Sequence, residues 1–169
     1  MRNIVDINAL PKGTRCFVDA NIFIYHLAAA SPDCTSFIDR LATGDFHAHI
    51  TTIVTAEVLH RRMMAEALAK GVVTSGQLLK KLKANSSLIT QLSDYIAEVE
   101  DLLLLPLEVI EVTTVDIAAS HTLRRAHGLF VNDSINLACA ERLGLTDVVT
   151  HDADFNRVPN VTVWSPTDI

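Results

Sequence analysis

The feature that most constrains this chain is an alternation. Short apolar, β-rich segments are separated by longer stretches with helical spacing, and no linker, repeat or low-complexity tract interrupts them. The short segments are residues 15–18, 48–51, 109–112, 148–150 and 161–164. They are mostly apolar on both faces, as strands covered from both sides by helices are. The alternation predicts an α/β protein around a short-stranded, mostly parallel central sheet. With 169 residues, 49% of them apolar, the chain is expected to form a single domain, 1–169, with a core of its own. Between the second and third strands, Leu88, Leu92, Tyr95, Ile96, Val99, Leu102 and Leu103 recur at helical spacing until Pro106 ends the run. Further helices are expected after Thr113 and from near Asp133. The latter carries Ile135, Ala138, Cys139 and Leu143 on one face and stops at Gly144.

Open parallel sheets hold their sites at the carboxyl ends of strands, which decides between two copies of one phrase. "IVDINALPKG" and "CFVDANIFIY" each set an aspartate two positions before an asparagine. After Asn8 come Pro11 and Gly13, so Asp6 and Asn8 belong to a short terminal segment ending in a turn. After Asn21 no helix breaker appears before Pro32, so Asp19 passes directly from a strand into a helix. The second copy is therefore the candidate.

Three further acidic positions resemble that of Asp19. Glu57 lies early in the helix after the second strand, among Ile53, Val54, Ala56, Val58 and Leu59. Asp133 lies at the opening of an apolar helix, and Asp152 directly follows the fourth strand, with Asp154 two residues on. Singly, each has a plain structural role: a helix cap for Asp19 or Asp133, a turn former for Asp152 and Asp154, a solvated helix residue for Glu57. Four acidic groups at four element junctions exceed what capping requires. Carboxylates packed together stay ionised only when cations neutralise them, and an all-oxygen set selects hard ions such as Mg²⁺ or Mn²⁺.

Composition narrows the classes further. Twenty acidic residues against fourteen Lys and Arg, a formal charge of −6, argue against a simple polycationic nucleic-acid binder but not against a nuclease whose own carboxylates hold metal. Cys16, Cys34 and Cys139 are scattered among apolar neighbours, the pattern of buried thiols in a reducing compartment, not of a disulfide framework or zinc knuckle. The longest apolar run, "LLLLPL", is far short of the roughly 18 residues of a membrane span. The first residues show no secretory signal, so a cytoplasmic location without membrane attachment is expected. His47 and His49 share one strand face without a third zinc ligand nearby. No Gly-rich phosphate loop and no GxSxG sequence is present.

"FVDANIFIY", "TAEVLHR", "NDSINLA" and "THDADF", in that order, resemble the four acidic motifs of the PIN domain. More narrowly, they resemble those of the VapC-type toxin ribonucleases of toxin–antitoxin pairs. The resemblance runs from about Phe17 to Phe155. It implies a three-layer α/β/α PIN-like fold and an endoribonuclease dependent on Mg²⁺ (or Mn²⁺). It further implies the toxin of a type II pair, a homodimer held inactive by a small antitoxin protein. By motif, Asp19, Glu57 and Asp133 would be the core metal-binding carboxylates and Asp152 the fourth. Asn21 and Thr150 would hold carboxylates by hydrogen bonds, and Asp154 occupies the more variable second acidic place. Arg61 and Arg62 would draw RNA phosphates to the acidic pocket. Lys80, Lys81 and Lys83 read as well as a solvated helix face. One departure is an enlarged helical region around 70–105. Two other readings stay open: a PIN-fold module that binds RNA or protein with little catalysis, and a different metal-dependent phosphoesterase. The haloacid dehalogenase type of the latter wants Asp-x-Asp after its first strand, where this chain has Asp19-Ala20-Asn21.

Overall fold

A computed structural model describes residues 4–72 and 76–169. The apolar strand Arg15–Val18, β2 in chain order, lies in the middle of the sheet, with Cys16, Phe17 and Val18 fully buried. Around it run β1 (Ile4–Asp6), β3 (His47–Thr51), β4 (Leu107–Ile110), β5 (Asp147–Val149) and β6 (Thr162–Ser165). All neighbours pair in parallel, in the order β1-β6-β5-β2-β3-β4. From β2 the chain builds outward through β3 to β4, then returns to the other side through β5 and β6. The crevice between β2 and β5 is thus the point where strand order reverses, the place where such sheets open a site. Register brings Val18 opposite Val149, so the residues that follow the two strands emerge side by side.

Helices flank the sheet: α1 (Ala20–Leu27), α2 (Pro32–Ala42), α3 (Thr52–Ala69), α4 (Leu78–Ala84), α5 (Asp94–Leu103), α6 (Thr114–His127) and α7 (Val131–Arg142). α1 packs on α2 and α3, α3 on α5, and α6 on α7. Among the described residues, no helix is long and apolar enough to cross a membrane.

Three details differ from the sequence reading. The segment carrying Asp6 does end in a turn, but it first forms β1, an edge strand paired with β6. Asp6 there accepts from the Asn8 amide, and Asn8 in turn donates to Asp33. Two strands, β6 and β5, separate β1 from β2, so this first aspartate lies roughly 14 Å from β2 at ordinary strand spacing. The fourth strand of the sheet edge, β4, starts right after Pro106 and ends at Ile110, because Thr113 and Asp116 form a reciprocal cap that starts α6. Finally, the helical periodicity through 88–103 is not one helix. It divides into a 3₁₀ turn at Ser86–Gln91 and α5, with α4 preceding both. The start of α5 is fixed by the buried Glu66 of α3, which accepts from the amides of Ser93 (3.0 Å) and Tyr95 (2.9 Å) and from Lys70 Nζ (2.6 Å). This region packs Leu82 and Leu92 against Ala67 in a small core separate from the main one. Residues 73–75 of the enlarged region lie outside the described residues.

Candidate active site

Asp19 directly follows β2 and caps α1, its Oδ1 accepting from the Ala20 amide at 2.7 Å. Oδ2 accepts from Asn21 Nδ2 at 2.6 Å and from Thr150 Oγ1 at 2.7 Å. Asn21 Nδ2 also donates to Thr150 Oγ1, and Asn21 Oδ1 accepts from the His151 amide. Thr150 Oγ1 accepts once more from the Asp152 amide at 2.9 Å. The loops after β2 and β5 are thereby laced together under one carboxylate, which is 7% exposed. Asp152 caps the 3₁₀ turn Ala153–Arg157 by accepting from the Asp154 amide. Capping and site-lining are roles that these aspartates hold at once.

Glu57 is half-buried on α3. Thr51 sets that helix by accepting from the Val54 amide, while its hydroxyl donates to Asn136 of α7. The same bond fixes α7 against the crevice. Asp133 sits in the first turn of α7.

Asp19, Asn21, Glu57, Arg61, Asp133 and Asp152 line one cavity of about 330 Å³, together with Ile24 and Tyr25. Thr150 lies buried beneath it. Asp154 stands to the side, paired with Arg157. Arg62 is turned away, bound through two nitrogens to Glu98 at 2.7 and 3.0 Å. Lys80, Lys81 and Lys83 lie exposed on α4. Tyr25 escaped the sequence reading although its signal was present: Asn21, Ile24 and Tyr25 fall on one helical face by their i, i+3, i+4 spacing. Tyr25 also meets His151 edge-on, with ring centroids 5.8 Å apart.

The electrostatics are those of an unbalanced acidic cluster. Burial pushes the Asp19 carboxyl up to about 7, against the hydrogen bonds from Thr150 and Ala20 and with help from the charges of Asp133 and Glu57. Asp133 is pushed up to about 6 by burial, then by Asp152, Glu57 and Asp154. Among the described residues, no Lys or Arg forms an ion pair with Asp19, Glu57, Asp133 or Asp152. This donor set, oxygen-only and short of positive charge, fits a hard divalent cation. No three His, Cys, Asp or Glu side chains among the described residues already meet at ligand spacing.

Comparison with known proteins agrees with the fold. The fold is shared with a chain of the VapBC2 complex from Rickettsia felis bound to a DNA fragment from its promoter. That match has 17% identity over 90% of this chain and 98% of the other, at a TM-score of 0.59. A chain of a toxin–antitoxin complex from Klebsiella pneumoniae matches at 19% identity over 91% and 98%, with a TM-score of 0.52. No curated protein shows a significant match. The family model of the PIN domain matches residues 16–161, nearly the whole chain, and the protein belongs to the PIN domain family.

Proposed function

We propose that the protein is an Mg²⁺- or Mn²⁺-dependent endoribonuclease and the toxin of a type II toxin–antitoxin pair. The observation that carries the reading is the meeting of Asp19, Glu57, Asp133 and Asp152, from four separate elements, around one cavity that also admits Arg61. Asp19 and Asp133 would hold the cation directly, with Glu57 and Asp152 binding it through water or orienting the attacking water. The bound ion would lower the pKa of a water and offset charge on the phosphate oxygens. Asn21 and Thr150 keep Asp19 Oδ2 fixed and hydrogen-bonded, so the carboxylate does not swing away when the site fills. Arg61 supplies the positive charge that brings a phosphate to an otherwise acidic mouth.

A groove of about 800 Å³ continues from Glu57 and Arg61 along α3, past Ile53, Ala56 and Met64 to Leu68 and Leu78. Its apolar floor and acidic end suit a segment of a small antitoxin with an apolar face and a basic side chain. The exposed Val109 on edge strand β4, with Val115 and Ile117 on α6, offers a contact for a second copy.

The test is incubation of purified protein with labelled structured RNAs in Mg²⁺, Mn²⁺ or EDTA, with Asp19→Asn alongside. Metal-dependent cleavage at discrete positions, lost in Asp19→Asn, is the expected result. Folded, antitoxin-free protein that cuts no RNA would make it a binding module.

A further inference from the structure

A phosphate entering the acidic cavity meets few side chains able to donate to it. Of those that line it, Asp19, Glu57, Asp133 and Asp152 only accept when ionised, and Ile24 is apolar. Asn21 has two side-chain donor hydrogens, and both are spent. One goes to Asp19 Oδ2 at 2.6 Å and the other to Thr150 Oγ1 at 3.0 Å. Its carbonyl accepts from the His151 amide, which fixes the side chain in that orientation. Thr150, beneath the cavity, gives its own hydroxyl hydrogen to Asp19. Among the described residues, two lining side chains keep uncommitted donors, Arg61 and Tyr25. They stand on α3 and α1, helices that pack against each other.

Tyr25 is the more rigidly held of the two. Its ring packs partly buried against the main core and meets the His151 ring edge-on, the planes 85° apart. His151 is tethered through its amide to Asn21, which lies one helical turn before Tyr25 on the same face of α1. The hydroxyl nevertheless reaches solvent and makes no hydrogen bond to another described residue. A tyrosine with its body in the core and its tip at a wet cavity is an oriented donor. We infer that the Tyr25 hydroxyl donates a hydrogen bond to a non-bridging oxygen of the RNA phosphate at this cavity, alongside Arg61. The inference rests on the nuclease reading and deepens it by assigning a second protein contact to the substrate phosphate. Arg61 draws the phosphate in by charge, and Tyr25 sets its orientation toward the carboxylates without filling the site with a further cation.

The experiment measures cleavage of a labelled RNA that the wild type cuts at a discrete position, with wild type and Tyr25→Phe in saturating Mn²⁺. Phe keeps the ring and its contact with His151 and removes only the hydroxyl. Tyr25→Phe is expected to lower kcat/KM about 10- to 100-fold. Its Tm, and the rise in Tm on adding Mn²⁺, should match the wild type. The same RNA with each phosphorothioate diastereomer at the cut bond then locates the contact. Sulfur accepts hydrogen bonds poorly, so replacing the contacted oxygen should slow the wild type and slow Tyr25→Phe far less. A kcat/KM in Tyr25→Phe within twofold of the wild type overturns the inference and leaves the nuclease. So do equal sulfur effects in the two proteins with both diastereomers. Activity and the Mn²⁺-dependent rise in Tm lost together also overturn it, and place the hydroxyl at the metal instead. A wild type that cuts no RNA overturns the nuclease reading, and the inference falls with it.

Discussion

Metal-free protein should be more stable at pH 5 than at pH 8, the reverse of the usual effect of ionised carboxylates, and the cause should be Asp19. A carboxyl raised in the folded state favours folding when protonated. Its contribution is fully present below about 3.8, falls as pH rises, and is exhausted above about 7. Integrated over that range the loss is up to about 4 kcal/mol, of which about 2.5 kcal/mol falls between pH 5 and pH 8. Asp133, raised to about 6, acts in the same direction, and the two titrate as a coupled pair. For a chain of this size the Asp19 part alone corresponds to a drop in Tm of about 5–10 °C.

The other strongly shifted carboxyls and the buried thiols titrate outside this window. Glu66 and Asp116 are held well below the ordinary carboxylate range by Lys70 and Arg142 and by backbone amides, so their contributions are lost only in stronger acid. Burial raises the thiols of Cys16 and Cys139 to about 12 and about 11, which matters only above pH 8. His26 opposes the effect: burial lowers its pKa, so it disfavours folding as pH falls through 6.5. Asp19→Asn separates the two, because it removes the carboxyl and leaves His26. Its amide oxygen can still accept from Thr150 and Asn21. Thermal melts in EDTA from pH 5 to pH 8 should slope downward for the wild type and much less for Asp19→Asn. Mg²⁺ or Mn²⁺ should raise Tm most at pH 8. Parallel profiles for the two proteins would refute the argument.

Arg61→Ala should weaken RNA binding about tenfold and reduce the salt slope by about 1, whereas Arg62→Ala should lower stability and leave the salt slope unchanged, since Arg62 is engaged with Glu98. Equilibrium binding across a salt series, with melts of both variants, distinguishes them. Asp116→Asn should cost about 1–3 kcal/mol in urea unfolding, because it weakens the hydrogen-bonded pair between buried Asp116 and the partly exposed Arg142 and half of the cap on α6. Glu66→Gln should cost about 1–3 kcal/mol in the same assay by removing acceptors from Ser93, Tyr95 and Lys70, and should raise hydrogen exchange in α5 before the sheet.

The parts of this molecule readable in the sequence are those governed by neighbours in the chain. The strand–helix alternation identified the parallel sheet, and the breakers after Asn8, absent after Asn21, separated two identical phrases. What they could not reveal was that the first phrase also forms a strand, because β1 gains its ladder only from β6 at the other end of the chain. The region 88–103 misled for the same kind of reason. Its apolar spacing is truly helical, but where α5 begins is decided by Glu66, more than twenty residues earlier and visible only once α3 packs on α5.

The acidic site follows the same division. Asp19 and Asp152 were placed by their position after strands, and the pairing of β2 with β5 makes that position a meeting point. Arg61 and Arg62, equivalent by sequence, are separated only by Glu98, which occupies one of them and leaves the other facing the carboxylates. The first of the alternatives weighed for Asp19, a helix cap, and the second, a member of a charged site, turn out to be one structural fact. The cap bond from Ala20 and the bonds from Asn21 and Thr150 hold the carboxylate in a single orientation, and burial in that orientation is what drives its pKa upward. Local rules that fix a helix start thereby create the buried, positioned acid that a cation can neutralise.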